Sequence, residues 1–174
     1  AAKLAAGARA NFARYAKKLT PVVLSLYKEK KLLHKMAMDA CMDSILAYCF
    51  PKGDGLAEIW HGCICSGSLK DNNPLVRACS IQIVQRYVTV RPAGQRVLDT
   101  DAGLCSEIVA AVIPTVHGDG ESNPLVREAA CSLLSTLAQP VGAAGGIGAA
   151  HPSLHAPLDI LRRKHPSIHA KIVA

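Results

Sequence analysis

The chain has 174 residues, half of them apolar, with aromatics at 4% and a formal net charge of +7. That length supports one ordinary core, and a composition led by Ala, Leu, Ile and Val suits packed helices better than an aromatic-rich β-sandwich. No run of 18 uncharged apolar residues predicts a membrane span, and no charged segment leads into an apolar stretch as in a secretory signal.

The first residues, AAKLAAGARANF, read as the second helix of an earlier repeat (residues 1–14). Starting at Ala1 rather than Met, they suggest a fragment or processed product, the C-terminal part of a longer array. Residues 15–50 are the first full repeat: a helix over ARYAKKLTPVVLSLYK, a loop KEKKL, and a helix over LHKMAMDACMDSILAYC. Residues 55–91 are the second. Its first helix, GLAEIWHGCICSGSL, puts Leu56, Ile59, Trp60, Cys63 and Ile64 at helical spacing, so Trp60 is read as core. Residues 99–141 are the third, opening on GLCSEIVAAVIPTV with Leu104, Ile108, Val109, Val112 and Ile113 on one face. GAAGGIGA, 142–149, is a loop, and residues 150–174 form a capping segment such as a helical stack requires at its end.

The second helices of two of these units begin with nearly the same word, NNPLVRA at 72–78 and SNPLVRE at 122–128. Asn73 and Asn123 are good N-cap residues. Pro74 and Pro124 then occupy the first helical position, where a missing N–H costs nothing. Behind them Val76, Cys79, Ile83, Val84 and Tyr87 match Val126, Ala129, Leu133, Leu134 and Leu137 offset for offset, one apolar stripe each. Leu32, Pro74 and Pro124 mark steps of 42 and 50 residues, a period of helical-pair repeats of the HEAT or armadillo kind. The predicted fold is thus all-α, a HEAT-repeat α-solenoid of antiparallel helix pairs in a single domain over 1–174. It has about three full repeats, a partial N-terminal helix and a C-terminal cap.

Chemical signatures are few. Seven Cys stand at 41, 49, 63, 65, 79, 105 and 131, with no CxxC and mostly inside apolar stripes, which predicts buried free thiols in a reducing compartment. His61, Cys63 and Cys65 alternate and point apart on a helix, so no metal site is expected. The pairs His151/His155 and His165/His169 have i, i+4 spacing, but no acid completes them and prolines interrupt the segment. No nucleophile–base signature and no phosphate-cradling Gly motif occurs. The expectation is a non-enzymatic protein without a cofactor.

The net charge calls for an anionic partner: an acidic protein surface, nucleic acid or anionic lipid. The intra-repeat loops carry the basic residues. Lys28, Lys30 and Lys31 lie in the first loop and Lys70 in the next, and loops of this kind line one edge of a solenoid. Lysines there suit salt-sensitive contact with an acidic surface, or are a solvated turn kept polar for solubility. Asp71 and Arg77, like Glu121 and Arg127, are an acid and an Arg six residues apart. They are read as structural ladder members linking successive loops, not as ligand contacts.

The ordered set of these words resembles a TOG domain over residues 9–174. RANFARYAKKLTPVVLSLYKEKK with MAMDACMDSI is similar to its fourth repeat, LKDNNPLVR to its fifth, SNPLVREAACSLLSTLAQPVG to its sixth, and LHAPLDILRRKHPSIHAKI to its closing segment. The resemblance implies a HEAT paddle that binds αβ-tubulin along its intra-repeat loops, in a larger multi-domain, microtubule-associated protein of the cytoplasm and spindle. Carried over by position, the tubulin-binding residues would be Lys28, Lys30, Lys31, Lys70, Asn72 and Asn73. The chain departs from the pattern in three ways. It lacks the earliest repeats with their tryptophan-bearing loop, it has Leu32 for the usual loop proline with His34 for a small apolar residue, and it carries Asp71 where Lys is common. Two rival readings remain. One is a HEAT or armadillo adaptor for another protein or peptide, which would show Asn or Trp ladders on its second helices. The other is a HEAT-like DNA glycosylase, for which one Trp and two Phe offer little stacking material. No nucleic-acid or membrane partner is expected, and retention on nucleic acid at physiological salt would discriminate.

Overall fold

Each repeated word begins a helix, and each does so by the chemistry its letters suggest. The amide of Leu75 donates to Asn73 Oδ1 at 2.9 Å and that of Leu125 to Asn123 Oδ1 at 3.0 Å. Each Asn side chain thereby satisfies a first-turn N–H that has no partner within the helix. A computed structural model of the chain describes residues 1–29, 31–50, 55–90, 102–117, 123–138 and 154–173; among these the regular structure is entirely helical. The fold is all-α and HEAT-like, with its helices packed in pairs.

The chain divides into two compact units, Ala1–Tyr87 and Val88–Ala174. The first contains α1 (Ala2–Ala8), a 3₁₀ turn at Arg9–Phe12, α2 (Ala13–Ser25), a 3₁₀ turn at Leu26–Lys28, α3 (Leu32–Tyr48), α4 (Gly55–Ile59) and most of α5 (Pro74–Val90). Here α3 packs against both α1 and α2, and α4 packs against α2 and α3. Between α1 and the next turn the backbone passes through Arg9 at φ 46°, a left-handed conformation uncommon outside glycine.

The helix predicted over GLAEIWHGCICSGSL departs from expectation after its first turn. From Trp60 to Ile64 it widens into a π-helix, with the amide of Cys65 donating to the carbonyl of Trp60 at 2.9 Å, five residues back. The five predicted core residues are nonetheless all buried, Trp60 to 1% exposure. The chain leaves this turn at Gly67, where a Cβ would lie 2.8 Å from the carbonyl oxygen of Cys63, so a side chain there would force the backbone to shift.

The second unit contains α6 (Ala102–His117), α7 (Pro124–Ala138), α8 (His155–Lys164) and α9 (Pro166–Val173). Here α6 pairs with α7, while α9 packs on α7 and α8. Val126, Ala129, Leu133, Leu134 and Leu137 are buried as their spacing predicts, as are Val76, Cys79, Ile83, Val84 and Tyr87 in the first unit. On α6, Leu104, Ile108, Val109 and Val112 are buried, whereas Ile113 is half-buried at the margin of the stripe.

Candidate functional site

The basic loop between α2 and α3 is built from a 3₁₀ turn that runs straight into extended backbone. Glu29 donates its amide to the Leu26 carbonyl at 3.0 Å, then turns extended at ψ 123°. Lys31 is also extended (ψ 124°) and caps α3 with its backbone, its carbonyl accepting from the amides of His34 and Lys35. Lys28 and Lys31 are exposed; Lys30 lies outside the described residues.

The first turn of α3 differs from its counterparts. In α5 and α7 the residue two places after the proline, Val76 or Val126, is buried. The matching position on α3 is His34, which is exposed, and Leu32, Leu33 and Met36 around it are 70%, 78% and 58% exposed. A polar imidazole stands where Val76 and Val126 face inward, and the apolar side chains beside it remain at the surface. From Met38 onward the common register returns, with Met38, Cys41, Met42 and Ile45 in the core. The basic loop therefore leads into an exposed apolar turn.

The second loop is ordered by its own side chains. Asp71 Oδ1 accepts the amide of Asn73 at 2.7 Å, an Asx turn. Arg77 Nη1 donates back to the carbonyls of Asp71 at 2.6 Å and Asn72 at 3.2 Å. Asp71 and Arg77 are thus joined within one loop, through the aspartate's backbone. Glu121 lies outside the described residues, and Arg127 is exposed on α7. Lys70 and Asn72 are exposed, while Asn73 is half-buried with its side-chain oxygen committed to the helix cap. The short turn that carries Lys70 (Ser68–Lys70) packs against α2.

Behind the basic loop is a polar network absent from the sequence-based expectations. Tyr27, buried to 2% exposure, donates its hydroxyl to Asp39 Oδ1 at 2.7 Å. Asp39 Oδ2 lies 2.8 Å from Arg86 Nη1 and 3.3 Å from Lys35 Nζ. Arg86 also reaches Asp43 at 3.2 Å, so one guanidinium on α5 spans two carboxylates a turn apart on α3. Burial alone would raise the Asp39 carboxyl; the hydrogen bond from Tyr27 and the charges of Arg86 and Lys35 outweigh it and hold the group below its ordinary value. Burial, then the Asp39 carboxylate, push the Tyr27 phenol well above its ordinary range. The signal was present: two acids four apart, Asp39 and Asp43, inside the apolar helix MAMDACMDSI.

None of the seven cysteines is in a disulfide, and Cys41, Cys49, Cys63, Cys79 and Cys105 are buried. Among the described residues no group of three or more His, Cys, Asp or Glu side chains is placed to hold a metal, and no helix is long and apolar enough to cross a membrane.

No family model and no curated protein matches the chain in sequence. In three dimensions it is similar to a solved TOG-domain chain from work on the structural basis of microtubule plus end tracking by XMAP215, CLIP-170 and EB1. The TM-score is 0.73 at 24% identity, over 98% of this chain. The chain spans 61% of the length of that solved chain. The likeness defines a TOG-like fold.

Proposed function

We propose that the chain binds αβ-tubulin through the loops between its paired helices, without covalent chemistry, as part of a larger microtubule-associated protein of the cytoplasm and cytoskeleton. The observation that carries this reading is the TOG-like fold, which matches a chain studied for microtubule plus end tracking over nearly the whole of the present sequence. The exposed lysines support it. Lys28 and Lys31 flank a loop anchored from behind, Lys70 ends an ordered turn, and Asn72 is exposed beside it. Lys30 belongs to the same basic run in sequence. Ammonium groups on an ordered loop suit an acidic protein surface, where they steer encounter and weaken with salt. Asn73 acts mainly by holding the loop, since its oxygen caps α5. In this mechanism the loops hold an unpolymerised or curved tubulin dimer and present it to a growing microtubule end.

The test is co-elution of the chain with αβ-tubulin on gel filtration at low ionic strength. A complex that weakens at moderate salt supports the reading; separate elution of a folded, helical chain would falsify it.

A further inference from the structure

The basic loop starts one residue after Tyr27, and Tyr27 ties it to the body of the unit. Its ring sits in the core, and its hydroxyl ends on a carboxylate that two cations also hold. A Phe at this position would fill the same space, so packing does not require the hydroxyl. What the hydroxyl adds is a fixed azimuth and depth for the 3₁₀ turn that carries Lys28. Arg86 completes the chain of contacts. By spanning Asp39 and Asp43 it fixes the carboxylate that Tyr27 needs, and it connects the loop through α3 to α5.

Lysine side chains are long and rotatable, so the place where their charges act is set mainly by where the backbone holds them. A loop fixed before binding loses less conformational freedom on binding. We propose that Tyr27 and Arg86, acting through Asp39, are positioning residues that hold Lys28 and Lys31 of the basic loop in their binding geometry. The inference rests on that loop being the partner-binding element.

Amide hydrogen exchange at Glu29, whose N–H bonds to Leu26, reads the loop directly and does not involve tubulin. The variants are Tyr27→Phe and Arg86→Lys, with Lys17→Ala as control, since Lys17 pairs with Glu58 at an exposed position of the same unit. In Tyr27→Phe, Glu29 exchange should rise and tubulin affinity should fall, each by about five-fold, the size of one lost net hydrogen bond. Exchange at the central amides of α3 should stay near that of the unchanged chain. Arg86→Lys should move both readouts in the same direction, and Lys17→Ala neither. Unchanged Glu29 exchange in Tyr27→Phe overturns the inference, as does faster exchange with unchanged affinity. If the unmodified chain does not bind tubulin, the tubulin reading falls. The exchange comparison then still decides whether Tyr27 fixes the loop.

Discussion

Arg86 on α5 reaches Asp39 on α3 at 2.8 Å, joining the second helices of two successive pairs within the first unit. Both side chains are less than a third exposed, at 31% and 21%. Removing either partner leaves a largely desolvated charge behind, so Arg86→Met or Asp39→Ala should each cost about 1.5–3 kcal/mol. The double variant should cost less than the sum by about 1 kcal/mol or more, the mark of groups sharing one network. Urea unfolding of the four proteins measures this. Strict additivity would mean that the contact contributes no coupling.

The same network sets an acid limit. Asp39 has its carboxyl held below the ordinary value, so its contribution is fully present above that value and is lost as pH falls through the folded one. Asp43 works in the opposite sense. Burial raises its carboxyl, so ionised Asp43 costs some stability near neutrality, and that cost is relieved in acid. Between about pH 5 and about pH 2, stability should therefore fall more steeply in the unmodified chain than in Asp39→Asn. Parallel curves from urea titrations across this range would show that Asp39 is not the linked group.

The two asparagine caps predict matched losses. Asn73→Ala and Asn123→Ala should each destabilise by about 1 kcal/mol, with Asp or Ser restoring most of it. The loss should appear in thermal unfolding at any salt concentration, because the capping bond is local and not an exposed ion pair.

Much of the helical plan was legible because it rests on spacing. Apolar residues three and four apart must share a face of a helix, and Val76 to Tyr87 and Val126 to Leu137 are buried accordingly. The caps were legible because Asn-Pro has one favourable place in a helix start. The π-helix at Trp60–Ile64 was not, since Leu56, Ile59, Trp60, Cys63 and Ile64 fit an α-helical stripe just as well. Range along the chain decides which polar pairs a sequence makes legible. Asp71 and Arg77 are close in sequence and bond locally, whereas Asp39 and Arg86 meet across 47 residues of chain. A pairing of that range depends on how helices stack, which no local pattern states. The exposed lysines Lys28, Lys31 and Lys70 follow from polar loops between apolar helices, but the anchor behind them, Tyr27, looked in sequence like the end of a helix.

Thiol chemistry offers an independent check of packing. Burial pushes the thiols of Cys41, Cys49, Cys63 and Cys79 above their ordinary value, and their side chains are enclosed. Thiolate and access are both needed for alkylation. Near neutral pH the half-buried Cys65 and Cys131 should label well before those four. Mass spectrometry of timed labelling reads the order. Early modification of Cys41 or Cys63 would contradict the packing of α3 and the π-helix.

Whether the basic loops bind tubulin is read most directly from the dissociation constant for αβ-tubulin against salt. It would be taken for the unmodified chain and for the variant with Lys28, Lys30 and Lys31 all changed to Ala. These exposed or loop positions should leave folding stability within about 0.5 kcal/mol. Binding should be weaker in the variant, with a clearly shallower dependence of affinity on salt. Equal affinity and equal salt dependence in the two proteins would contradict it.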